Sequence, residues 1–447
     1  MFKMQEKSFD ENKIAFWWLI LSILSIAISG VFSIFLVFLR TPGLVGLFSK
    51  NIFSYSLIVH VTLSITVWML TIQCLLSSLT FTGLRKRYSS WILILAYLGT
   101  LLIGFSPLFG GRPILNNYVP ILSNLVFVFG IALFICSVLI SSIFAIIEYF
   151  LDANKKENSH IKSLSFTSSV IFIIALGCFY LSAGQAKYSG LNQDIEHYYE
   201  IIFWGFGHIL QYLFIQILLF SWYVMISSIY GHSILSISSY RKILYVNLLV
   251  SIICPLFYLF STVESGAYIE FFTLHMKYFG GISSIILALL IVIKLFKDEV
   301  FVRDYRFYSF IYSLFVFGIG GMIGYLIHGA NVTVPAHYHG SIVGITIALM
   351  GLVYYIISSF GYKFNSSKLL NIQLLLYCLG QTLHISGLAL SGGYGALRKT
   401  PGVDLAGEAK LYLGLMGTGG LIAIISGVIF VFNCYFAIRN GKIDESR

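Results

Sequence analysis

The segment VPAHYHGSIVGITIALMG, Val334 to Gly351, places His337 and His339 at the head of a long apolar run. Imidazole is costly in hydrocarbon unless something occupies its ring nitrogens. Histidines recur in other apolar runs as His60, His208, His275, His328 and His384. Neutral imidazole is the commonest protein ligand for metals, and a metal on one nitrogen with an acceptor on the other offsets the cost of burial. Helix positions i and i+2 point about 200° apart, because each residue turns roughly 100°. His337 and His339 therefore face opposite sides of one helix and serve two different centres.

The elements that must position these groups are membrane spans. The chain has 447 residues, 58% of them hydrophobic and only 10% charged, against about a quarter charged in soluble domains. Roughly twenty apolar residues cross a bilayer. That rule predicts twelve spans, at 14–40, 52–83, 91–109, 120–150, 165–184, 199–228, 242–263, 271–296, 306–328, 334–360, 368–391 and 409–438. The expected fold is an all-α integral membrane protein, with residues 1–447 forming a single polytopic domain.

The first span is too long for a secretory h-region and lacks a small-residue cleavage site, so it is kept as a helix. Most of the 28 Lys and Arg residues, Arg85, Lys86, Arg87, Lys155, Arg241 and Arg303 among them, fall in the tails and alternate loops. By the positive-inside rule both termini are expected in the cytoplasm, in a bacterial inner membrane. The net charge of +10 thus reflects topology and anionic lipid, not nucleic acid. All six cysteines lie inside spans without redox or metal spacing, and no C-x-x-C-H occurs. With this topology the seven span histidines share one layer, His60 and His208 roughly 12–14 Å below the outer boundary. A pair of haems, each taking one axial imidazole from the His337–His339 helix, fits the pattern best.

AHYHGSIVGITIALMG, preceded by FVFGIGGMIGYL, resembles helices nine and ten of the haem-copper oxidase catalytic subunit, cytochrome oxidase subunit I. WGFGHILQY looks like that family's W-x-x-G-H-x-x-x-Y in helix six, and His60 in HVTLSITVWML sits where its second-helix haem ligand would be. The resemblance implies a subunit I-like bundle with two haems of type a, b or o. His60 and His339 would be the axial ligands of a low-spin haem, and His337 would hold a second haem with an open distal face. His208 would bind a distal metal, copper or less readily non-haem iron, with Tyr212 one turn on as a proton and electron donor. Arg398 and Lys399, in GGYGALRKTPG, resemble the pair that neutralises haem propionates. Cytochrome c or quinol would supply electrons, and accessory oxidase subunits and the lipid bilayer would be partners.

The sequence also departs from that pattern. The family's adjacent histidine pair of helix seven aligns near Ser265 and Gly266, neither a soft-metal ligand. Three readings stay open: copper held by His208, His275 and Met276; iron held by His208 and Glu264; or no distal metal. The helix-six glutamate of one family branch is Leu210. Lys294 is placed to begin a lysine proton route, although the threonine expected one turn before it is Ile291, and an interfacial snorkelling role fits the same position. His328 is read as a cap, and NNYVPIL (Asn116 to Leu122) as a turn capping the fourth span. Two functions compete: a respiratory oxidoreductase reducing O2 or NO, and a haem-binding paralogue without distal-metal catalysis, acting in electron transfer, sensing or assembly. A transporter leaves the H-x-H spacing unexplained.

Overall fold

Among the described residues, twelve helices are long and apolar enough to cross a membrane. The computed structural model describes residues 13–41, 50–151, 159–188, 194–327, 331–393 and 407–441. In lipid every backbone polar group must be satisfied within the protein, which leaves closely packed helices as the solution for such apolar runs. Span one is α1, Lys13–Arg40. Span two is composite: α2 (Lys50–Val61), a π-helical stretch (Thr62–Val67) and α3 (Trp68–Ser78). Spans three to six are α4 (Gly83–Phe105), α5 (Leu125–Leu151), α6 (His160–Tyr188) and α7 (Ile195–Tyr230). Span seven is α8, Ile237–Ile253, which tightens into a 3-10 turn at Cys254–Leu259.

Span eight is broken into α9 (Gly266–Phe279) and α10 (Ile282–Lys297). Spans nine to twelve are α11 (Tyr305–Tyr325), α12 (Thr333–Ser359), α13 (Ser367–Gly393) and α14 (Glu408–Arg439). The ends are set by local chemistry. Asp194 accepts from the amides of Glu196 and His197 to start α7, Ser236 accepts from Ser239 to start α8, and Gly231 ends α7 in a left-handed conformation.

The number and order of spans match the sequence reading, with boundaries moved by a few residues. Two features lay outside it. A short antiparallel ribbon, β1 (Arg112–Ile114) with β2 (Ile121–Ser123), folds the loop after α4 into a hairpin. Span eight also starts earlier than expected and bends at Gly280 and Gly281.

Burial ranks the helices. In their most apolar stretches span six is 94% buried, span ten 83% and span two 72%, against 50% or less for each of the others. These three central spans carry His208, the His337–His339 pair and His60. Outward faces remain apolar, with Leu125 and Phe260 almost fully exposed, as a lipid-facing surface requires. α11 and α12 approach closely beside His337. A Cβ on Gly340 would lie 2.2 Å from Gly320 Cα, so backbone meets backbone there.

Candidate functional site

A cavity of about 500 Å3 lies among α1, span two, α12, α13 and α14. His60, His339 and His384 line it together with Arg40, Tyr338 and Asn116, and most of the remaining wall is apolar. His60 lies in the last turn of α2, just before the π-helical stretch, a local geometry that recurs at functional sites. Its Nδ1 lies 3.2 Å from the Ser29 carbonyl and 2.9 Å from the Ser29 hydroxyl. The hydroxyls of Ser29 and Ser64 both donate to the His60 carbonyl, which ties α1 to the bulge.

The other histidines are held in a common way. Nδ1 lies 2.9 Å from the Pro335 carbonyl in His339, 2.9 Å from the Met416 carbonyl in His384, 2.7 Å from the Gly320 carbonyl in His337 and 2.8 Å from the Trp204 carbonyl in His208. A carbonyl only accepts, so each Nδ1 carries the proton and each Nε2 carries a lone pair. A metal-ligating imidazole is oriented in the same way, one nitrogen donating to an acceptor and the other left to bind.

The H-Y-H segment splits as its spacing requires. His339 faces the cavity, where its ring lies 4.6 Å from that of His384 on α13. His337 turns to α11 and the Gly320 carbonyl. α12 also packs against α7, the helix that carries His208. The donors around the cavity fit a planar tetrapyrrole between imidazoles: lone pairs, apolar walls, and Arg40 for a carboxylate.

The surroundings of His208 are different. Tyr118, from the loop between the two β-strands, puts its hydroxyl 2.9 Å from Nδ1 and 3.0 Å from Nε2 of His208. Trp204 and Phe272 pack on the same imidazole. Burial, with Tyr338 and Glu200 nearby, pushes the Tyr118 phenol well above its ordinary value. Tyr212, one turn after His208, is fully buried and its hydroxyl lies 2.9 Å from His275 Nδ1. His275 also meets Cys254, whose Sγ is 3.4 Å from both ring nitrogens.

Met276 packs its sulfur against Gly280, and Glu264 is exposed. Among the described residues no group of three or more His, Cys, Asp or Glu side chains is placed to hold a metal ion. His208 and His275 are thus near each other but engaged with different partners. Lys294 pairs with Asp298 at 2.8 Å near the end of α10 and lies 4.8 Å over the Tyr230 ring, the setting of an interfacial lysine. Arg398, Lys399 and His328 lie outside the described residues.

Sequence reasoning missed Tyr118, Arg40 and Cys254. NNYVPIL does form a turn: Asn116 Oδ1 accepts from the amides of Tyr118 (3.0 Å) and Val119 (2.8 Å). What the turn presents, a tyrosine aimed at a span-six histidine, leaves no trace in spacing. Arg40 is an ordinary flanking cation until α1 is packed beside the cavity.

Residues 13–429 match the family described as cytochrome C and quinol oxidase polypeptide I. An uncharacterized protein of Rickettsia prowazekii (strain Madrid E) is 35% identical over 507 aligned residues, covering 97% of this chain and 98% of that protein. An uncharacterized protein of Aquifex aeolicus (strain VF5) is 28% identical over 364 residues, covering 78% of this chain and 86% of that one. A cryo-EM structure of a heme-copper terminal oxidase dimer superposes with a TM-score of 0.75 at 16% identity, over 99% of this chain and 86% of that one, a likeness of fold.

Proposed function

Because the chain belongs to the cytochrome c and quinol oxidase polypeptide I family, we propose that this respiratory oxidase-like membrane protein passes electrons through a low-spin haem held by His60 and His339 to a second haem held by His337, which reduces O2 or NO. The observation that carries the reading is the cavity that His60 and His339 line, with each Nδ1 turned to a carbonyl. A haem with two imidazoles supplies electron transfer without an open coordination site.

The chain's own groups do the rest. Ser29 and the Pro335 carbonyl fix the two rings, the apolar walls keep water out, and Arg40, with Arg398 and Lys399, balances haem carboxylates. Gly320 and Ser341 hold His337 on the other face of α12. Cytochrome c or quinol would deliver electrons from the outer face of a bacterial inner membrane, both termini being cytoplasmic, with further oxidase subunits as partners.

A second reading, a haem-binding paralogue without distal-metal catalysis, is favoured by one observation: no three-donor group surrounds His208 among the described residues. The test of the haem reading is the reduced-minus-oxidised spectrum of the detergent-purified protein. Wild type should show low-spin haem bands, and H60A and H339A should lose them while a CO-responsive haem survives. A preparation without haem would overturn the proposal.

A further inference from the structure

We propose that His384 is a positioning residue that fixes the ring plane of His339 and so sets the electronic character of the haem that His339 holds. This role rests on the His60–His339 haem reading above, which leaves His384 without a task in the cavity it lines.

The plane of His339 needs a second support. Its Nδ1 donates to the Pro335 carbonyl, one turn back on its own helix, at 2.9 Å. One hydrogen bond fixes an atom and tolerates a range of angles, and the outer torsion of a histidine side chain has broad minima. The ring can therefore still pivot about its Nδ1–carbonyl line. His60 gains a second helix from the Ser29 hydroxyl and carbonyl of α1. His339 meets a neighbouring helix through His384 of α13, whose ring centre lies 4.6 Å from its own with 42° between the planes. A flat face at that distance resists the pivot.

His384 is itself anchored. Its Nδ1 donates at 2.9 Å to the Met416 carbonyl of α14, a residue 32 positions along the chain. The backbones of α13 and α14 touch around it. A Cβ on Gly380 would lie 2.6 Å from the Ala423 nitrogen, and one on Gly419 would lie 2.6 Å from the Gly380 carbonyl oxygen. Glycine at 420 keeps a side chain off the imidazole, since a Cβ there would lie 3.1 Å from His384 Nδ1. Leucine at 384 would fill the space without a donor for Met416, and phenylalanine would offer a flat face without the anchor. Histidine supplies both.

The consequence is electronic. In a haem with two axial imidazoles, the angle between the ring planes governs the splitting of the iron d orbitals. The largest g value of the oxidised haem follows that angle. A ring that pivots samples many angles and broadens the signal.

The experiment is low-temperature electron paramagnetic resonance of the oxidised, detergent-purified wild type, H384A, H384F and G420A, beside haem per chain and thermal unfolding. H384A should keep the low-spin haem while its largest g value shifts and broadens. H384F keeps a flat face and should shift it less. G420A presses on the His384 ring and on Val37 from α14; it should move the signal with the histidine intact, so the test survives an H384A that fails to fold. Unmoved g values in all three variants, with only thermal unfolding altered, would make His384 a packing residue and overturn the proposal. Low-spin haem lost in H384A but kept in H339A would make His384 the ligand itself and also overturn it. Wild type without low-spin haem would overturn it together with the haem reading, whereas low-spin haem with unmoved g values overturns the positioning role alone.

Discussion

Gly340→Ala tests how His337 is positioned. A Cβ at residue 340 would lie 2.2 Å from Gly320 Cα and 2.6 Å from its nitrogen. Ordinary contact begins at 3.4 Å, so α11 and α12 must part by 3.4 − 2.2 = 1.2 Å. Both sides of the seam are backbone, and no side chain can swing aside. Overpacking of this kind costs about 1–3 kcal/mol. The same opening stretches the 2.7 Å bond from His337 Nδ1 to the Gly320 carbonyl beyond hydrogen-bond reach, at about 1 kcal/mol. Replacing a helical glycine by alanine returns about 1 kcal/mol.

The net penalty is about 1–3 kcal/mol, or roughly 5- to 150-fold in the occupancy of the correctly placed state. The assay is the amplitude of the CO-difference spectrum after graded heating in detergent, beside the thermal unfolding curve. Gly321→Ala, on the facing helix α11 beside Gly320, is the control, because nothing lies within 4 Å of its added Cβ. G340A should lose CO-responsive haem at lower temperature than wild type, and G321A should not. Equal behaviour of the two variants would refute the argument that backbone contact at Gly320 and Gly340 places His337.

Glu148, 2% exposed, pairs with Arg85 and accepts from the Thr82 hydroxyl at 2.6 Å and the Thr82 amide at 3.3 Å, fastening α5 to the start of α4. E148A should cost about 3–5 kcal/mol, because it strands a largely buried guanidinium. R85A/E148A should cost less than the two single changes summed, measured as detergent thermal stability, and strict additivity would count against coupling. At the end of α10 the Lys294 ammonium, joined by the Tyr230 hydroxyl, holds the Asp298 carboxyl below its ordinary value. A carboxyl lowered in this way adds stability above the ordinary carboxylate range and loses it as pH falls through the lowered value. D298N should therefore differ slightly from wild type near neutrality and converge with it in strong acid; a gap that widens toward acid would contradict the sign. Loss of low-spin haem in H60A and H339A completes the set.

The twelve spans were legible because burial in lipid demands continuous apolar length, and length is a one-dimensional property. The i, i+2 spacing of His337 and His339 was legible for a similar reason: helical pitch alone sends them to opposite faces. Tyr212 follows His208 by one turn on α7, and its hydrogen-bond partner His275 comes from a different span. What no run of residues encodes is how spans are apposed. Span two bulges after His60 because Ser29 of another helix shares its hydrogen bonds. Arg40 borders the His60–His339 cavity only once α1 packs against α14. Tyr118 reaches His208 because Gly207 lets a hairpin settle on the α7 backbone. Ser29 and His60 are 31 positions apart and Tyr118 and His208 are 90, while α1 and α14 lie at opposite ends of the chain; the energy of such contacts lies in close packing, and packing exists only when all the helices are in place.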